Sequence, residues 1–224
     1  MKFFHSFKNY LRKFKWCISN FALMPLIINW EERAWNGPAP LFVKHAILRQ
    51  CPCRFWIETG TYHGETSEML SNFAKNVITI EPEKKLFENA KIKFDGSNVK
   101  VLYGESEKKL ESAIQTFLSK SQNEIAFFLD GHFSGAGTHL GNTASPIVQE
   151  LEIIEKYLSE MNTCYVYIDD FREFSDSYSS QFLFESTYPS KSFLVNFANR
   201  NRLNWEVKQD IFIMFQKSDF NDPK

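Results

Sequence analysis

Four short stretches of this 224-residue chain carry side chains that can bind or move charge. The first is Glu58-Thr59-Gly60-Thr61-Tyr62-His63-Gly64-Glu65-Thr66, where two glycines allow a tight turn and close approach of backbone to a ligand. Glu81 follows 23 residues after Glu58, near the ~20-residue spacing at which an acid grips a ribose diol in nucleotide-binding βαβ units. The G-x-G-x-x-G run that cradles a pyrophosphate is missing, so a nucleoside without phosphates suits the pair better than a dinucleotide. The other acids are Asp130 and the Asp169-Asp170 pair. On neighbouring strands about 4.8 Å apart they would crowd like charges, which protonation or a hard cation resolves. An oxygen-only ligand set favours Mg2+, Mn2+ or Ca2+ over zinc. The plainer alternative is that one Asp caps the next segment and another faces solvent. His132 could act as a general base near neutral pH or be an ordinary hydrogen-bonded loop histidine. Gly131, Gly135, Gly137 and Gly141 around it suit either a lid over a substrate or an unstructured connection.

These residues matter only if the chain brings them to one edge, and its periodicity predicts that it does. Strands are expected over 54–58, 76–81, 99–103, 125–129 and 164–168, all but the third ending in one of the polar stretches. Helices are expected over 66–73, 82–94, 105–118 and 146–160, the last with Ser145 as its cap. The tail differs: 203–207 and 211–216 read as a hairpin around Lys208-Gln209-Asp210. The expected fold is therefore α/β, a Rossmann-like, seven-stranded, mostly parallel sheet closed by a C-terminal antiparallel hairpin, with helices on both faces. In such sheets ligands bind beyond the carboxyl ends of the strands, where all four stretches lie.

The composition, 43% hydrophobic and 24% charged, is that of an ordinary folded domain. Net charge is −1, which gives the whole molecule no pull toward nucleic acid. The first thirty residues carry five Lys or Arg and no acid, so a head of +5 sits on a body of −6. Within it Phe3, Phe7, Tyr10, Leu11, Phe14, Ile18 and Phe21 fall on one helical face, with Lys8, Arg12, Lys13 and Lys15 elsewhere. This N-terminal amphipathic helix suits either an anionic membrane surface, reached through residues 1–30, or docking on the domain or on a second copy in a homodimer. The apolar run from Trp16 to Trp30 is broken by Ser19, Asn20, Pro25 and Asn29 and is too short to span a bilayer. Turn-rich Asn36-Gly37-Pro38-Ala39-Pro40 marks the boundary between an extension of residues 1–36 and a domain of residues 37–224. Cys51, Cys53 and Cys164 lack redox or zinc spacing and read as reduced thiols, Cys164 buried in a strand. With no secretory signal pattern, a cytoplasmic protein is expected, peripheral at the inner membrane face if the head binds lipid.

Over residues 54–216 the pattern resembles the class I S-adenosylmethionine-dependent methyltransferases. Glu58-Thr59-Gly60 followed by Gly64 is similar to their glycine loop, Glu81 to their ribose-binding acid, and the hairpin to their last two strands. Tyr62 stands where many of them have a second glycine. The E-T-G start, the Asp after the fourth strand and the Asp-Asp pair after the fifth resemble the metal-dependent sugar O-methyltransferases of the macrocin O-methyltransferase type. Trp35-Asn36-Gly37-Pro38-Ala39-Pro40 and Asp130-Gly131-His132 resemble stretches of methyltransferase-like proteins of bacterial surface-polysaccharide clusters. The resemblance implies a donor site of Glu58, Gly60, Thr61, Tyr62, Gly64, Thr66, Glu81, Glu105 and Ser106 for S-adenosylmethionine. It implies Mg2+ on Asp130, Asp169 and Asp170, catalysis by His132 or Asp130, and a sugar or glycan hydroxyl as acceptor. The same acids would also serve a metal-dependent phosphoester or glycosyl transfer enzyme, and the fold alone would serve an inactive membrane-associated scaffold.

Overall fold

The computed structural model describes residues 39–130, 145–176 and 188–217. The amphipathic helix expected in residues 1–36, together with His132 and its glycine-rich loop, lies outside the described residues. Helix α1 (Leu41–Leu48) precedes strand β1 (Phe55–Thr59), and α2 (Glu65–Ser71), β2 (Asn76–Glu81), α3 (Lys84–Lys93) and β3 (Val99–Tyr103) follow. Then come α4 (Ser106–Leu118), β4 (Glu124–Leu129), α5 (Ile147–Tyr157), β5 (Thr163–Ile168), α6 (Lys191–Arg200) and the hairpin β6 (Asn204–Lys208) and β7 (Ile211–Lys217).

The seven strands form one sheet in the order β3-β2-β1-β4-β5-β7-β6. Strands β1 to β5 are parallel, and β7 runs antiparallel to both β5 and β6. Every residue of β1 is buried, as is Ile125 to Leu129 of β4. That accounts for apolar runs without polar alternation, because helices cover both faces of a parallel sheet. Successive side chains point to opposite faces and build two cores. Ile57, Phe127 and Val166 pack under α4, α5 and α6 through Leu110, Ile114, Leu151, Ile154 and Phe197. Trp56, Phe128 and Tyr167 pack under α1 and α2 through Val43, Leu48, Met69 and Leu70. Trp56 stacks on Tyr167 with ring centroids 5.5 Å apart, and Tyr165 stacks on Phe215 at 5.1 Å, so aromatic pairs tie β5 to β1, across β4, and to its neighbour β7. Cys164 is buried on the opposite face, in the core with Ile57 and Val166, as its strand position predicts.

Local signals explain most ends. Gly64 adopts a left-handed backbone (φ 72°) before α2, and a Cβ there would lie 2.8 Å from the Phe94 ring, so both conformation and space demand glycine. Ser190 caps α6 by accepting a hydrogen bond from the Phe193 N–H at 3.0 Å. Ser145 does not cap α5: Pro146 takes that position and no side chain caps the helix. No helix among the described residues is long and apolar enough to cross a membrane.

Candidate functional site

The order in which the chain adds strands reverses between β1 and β4, the point at which open sheets of this kind form a crevice above the carboxyl ends. Into it lead the turn after β1, the end of β2, the start of α4 and the residues after β4 and β5.

The β1 turn is held from both sides. Gly60 (φ 81°) and Thr61 donate backbone N–H bonds to the Ile80 carbonyl at 3.1 and 3.3 Å, which draws the turn over β2. The Thr61 hydroxyl lies 2.6 Å from that of Thr79, so Thr61 turns inward and offers the crevice only its backbone. Tyr62 keeps the left-handed conformation (φ 47°) that a glycine would take freely, and its N–H donates to Glu81 Oε2 at 2.7 Å. The Glu83 N–H donates to the other oxygen of Glu81 at 2.9 Å. Two backbone donors thus orient the Glu81 carboxylate and fix the strained turn at the same time. Lys93 closes the back of the loop, its ammonium donating to the His63 and Gly64 carbonyls at 3.0 Å each. Tyr62 is half exposed, its ring 3.9 Å from that of His63, and Thr66 is half-buried in the first turn of α2.

Glu58 lies one layer deeper, fully buried, and accepts a hydrogen bond from Ser67. Burial pushes its carboxyl up to about 8, against the pull of the Ser67 and Thr79 hydroxyls. A second acid that the sequence reading overlooked, Glu150 of α5, is equally buried beside Ser106 and Thr59, and burial pushes it up to about 7. Its signal was present: on a helical wheel Glu150 falls between the apolar Ile153 and Ile154. Glu105 stands at the N-cap of α4 and pairs with Lys108, with Ser106 buried behind it.

The three aspartates are placed differently from a metal-binding triad. Asp130 follows β4 and Asp169 follows β5 on adjacent strands, as expected. Between them lies the ammonium of Lys44 from α1, in contact with Asp169 Oδ2 and 3.9 Å from Asp130 Oδ2. Asp170 turns away in a left-handed conformation (φ 56°), and Arg172 bonds it at 2.7 Å while also pairing with Asp210 of the hairpin loop. Among the described residues no group of three His, Cys, Asp or Glu side chains is arranged to hold a metal ion. The three carboxylates expected to hold Mg2+ thus face Lys44 and Arg172 among the described residues. Burial and then the neighbouring Asp130 charge raise Asp169 to about 7. Burial opposes the charge on Lys44, but Asp130, Asp169 and Asp170 outweigh it and hold the ammonium above the usual lysine value. Lys44 also escaped the sequence reading, although its wheel position between Ile47 and Leu48 sets a cation on a buried face.

No family model and no curated protein matches this chain. Solved structures do. The chain is similar to the Podospora anserina methyltransferase PaMTH1, solved with S-adenosylhomocysteine (SAH) bound, at 12% identity and TM-score 0.53 over 80% of this chain and 77% of that one. It is similar to the O-methyltransferase TomG of Streptomyces achromogenes, involved in tomaymycin synthesis and solved with S-adenosylmethionine, at 17% and 0.53 over 79% and 78%. A Bacillus cereus O-methyltransferase in complex with SAH matches at 16% and 0.53 over 88% and 89%. The fold is that of the S-adenosylmethionine-dependent methyltransferases. Within it, the chemistry of the donor set suits the nucleoside: Glu81 offers acceptors to a diol, and the turn at Gly60 offers close backbone approach.

Proposed function

We propose that the protein is an S-adenosylmethionine-dependent O-methyltransferase acting on a sugar hydroxyl of a bacterial glycan or glycan precursor. The observation that carries the reading is the β1 turn locked onto Glu81 at the topological switch point, the place where this fold type receives its donor. Glu81 takes the ribose diol, the backbone of Gly60 to Tyr62 lines the amino-acid end, and Gly64, Thr66, Glu105 and Ser106 complete the wall. Glu58 and Ser67 form the floor and hold the start of α2 beneath the loop.

S-adenosylmethionine supplies a methyl carbon on a sulfonium, and the carbon–sulfur bond breaks, its electron pair passing to sulfur, as the acceptor oxygen bonds the carbon. The protein's part is alignment of that oxygen and removal of its proton. Asp130, at the mouth of β4 with its side chain 23% exposed, is the carboxylate placed to take the proton, directly or through His132. The likeness of Asp130-Gly131-His132 to stretches of surface-polysaccharide proteins supports a sugar acceptor. The basic head of residues 1–30 would hold the enzyme at an anionic membrane surface beside lipid-linked glycans.

The test is incubation with methyl-labelled S-adenosylmethionine and separate pools of nucleotide sugars, lipid-linked glycans, RNA and protein. Label is expected in a sugar pool, as an alkali-stable ether. Label confined to RNA or protein would overturn the acceptor assignment.

A further inference from the structure

An acidic pair at the carboxyl ends of β4 and β5 invites a divalent ion, yet the structure answers it from within the chain. Lys44 reaches the pair from α1, 125 residues before Asp169. Its side chain is 13% exposed, and its ammonium lies 5.6 Å from the centroid of the Phe128 ring, so the cation is enclosed by protein rather than free in solvent. It touches Asp169 Oδ2 and stands 3.9 Å from Asp130 Oδ2, the same two oxygens that a bridging ion would need. Mg2+ binds oxygen at about 2.0–2.1 Å and demands near-octahedral space, so an ion on those atoms would collide with the ammonium in both volume and charge. The third carboxylate is also committed, since Arg172 holds Asp170 against Asp210. Asp169 Oδ1 is buried and has no partner among the described residues, leaving one acceptor of the pair unused beside the lysine.

We propose that Lys44 is the resident cation of the acceptor end of the site, occupying the place between Asp130 and Asp169 so that the pair takes up no divalent metal. The placement of the acceptor there rests on the methyltransferase reading; the exclusion of metal does not. A lysine in this place neutralises one of two carboxylates permanently, and activity then has no dependence on cellular Mg2+.

The experiment titrates Mn2+, visible by electron paramagnetic resonance, into the purified full-length chain, into Lys44→Arg and Lys44→Met, and into Lys44→Met combined with Asp169→Asn. Circular dichroism and SAH affinity are recorded on each. Wild type and Lys44→Arg are expected to leave Mn2+ free. Lys44→Met is expected to gain one site binding at least ten-fold tighter, lost again in the double variant. One Mn2+ bound by wild type as tightly as by Lys44→Met, or a folded Lys44→Met that gains no site, overturns the proposal. Should Lys44→Met fail to fold, wild type against Asp169→Asn decides: Mn2+ uptake by wild type that Asp169→Asn abolishes overturns it, and no uptake by either supports it. Loss of SAH binding throughout, with folded proteins, would sink the donor reading and leave the lysine result standing.

Discussion

Replacing Glu58 by Gln isolates the energetic cost of an acid at the floor of the site. Glu58 is 1% exposed, its carboxyl is pushed from 4.5 up to about 8 chiefly by burial, and Ser67 donates to one of its oxygens. A raised folded-state value means that the folded protein keeps this proton while the unfolded chain has lost it. Its stability contribution is thus complete below pH 4.5, falls as pH climbs, and levels off above about 8. At about 1.4 kcal/mol per pH unit, the whole span corresponds to about 5 kcal/mol. Between pH 6 and 8, where the acid reaches half ionisation at the upper end, the loss is about 2 kcal/mol. Glutamine keeps the shape and an acceptor for Ser67 but cannot ionise. Denaturant unfolding of both proteins at pH 6 and pH 8 reads the difference directly, since the other buried acids, Glu150 and Asp169, titrate in both and cancel. The variant is expected to gain about 2 kcal/mol on wild type between the two pH values. An identical pH dependence in the two proteins would refute the assignment of a raised carboxyl to Glu58.

Two further substitutions probe the loop. Gly64→Ala combines a left-handed backbone with a Cβ 2.8 Å from the Phe94 ring, and should cost about 2 kcal/mol or more, lowering the melting temperature by several degrees; an unchanged melt would refute the packing described at α2. Glu81→Ala removes the acceptor of two backbone N–H groups and should weaken SAH binding about ten-fold or more by calorimetry, while circular dichroism stays as in wild type; undiminished affinity would take Glu81 out of the donor site.

Much of the fold was legible because a parallel sheet covered on both faces leaves its mark as short continuous apolar runs, each ending in polar residues. Ile125 to Leu129 ending in Asp130, and Cys164 to Ile168 ending in Asp169, are such runs, and both fell within a residue or two of the observed strands. The hairpin was equally plain, with Gln209 in the left-handed conformation at its turn. Helices α1 and α6 were overlooked for different reasons. Helix α1 is eight residues long and so apolar that its face is hard to distinguish, and α6 follows a polar, aromatic stretch with only Ser190 to announce it. The missed site residues share one cause. Lys44 and Glu150 are charged residues inside apolar helical arcs, and a periodicity reading treats them as interruptions, whereas tertiary packing encloses both. The cations beside the aspartates were hidden for the same reason: three aspartates at strand ends show their crowding in sequence, but Lys44 and Arg172 come from elements that the spacing of the aspartates does not reveal.

The central claim, that the crevice above β1, β2 and β4 is a methyl-donor site, is tested most directly by calorimetric titration of the purified protein with SAH, with and without Mg2+. Micromolar binding, equal in the two conditions, is the predicted result. No heat in either condition from a demonstrably folded protein would contradict it.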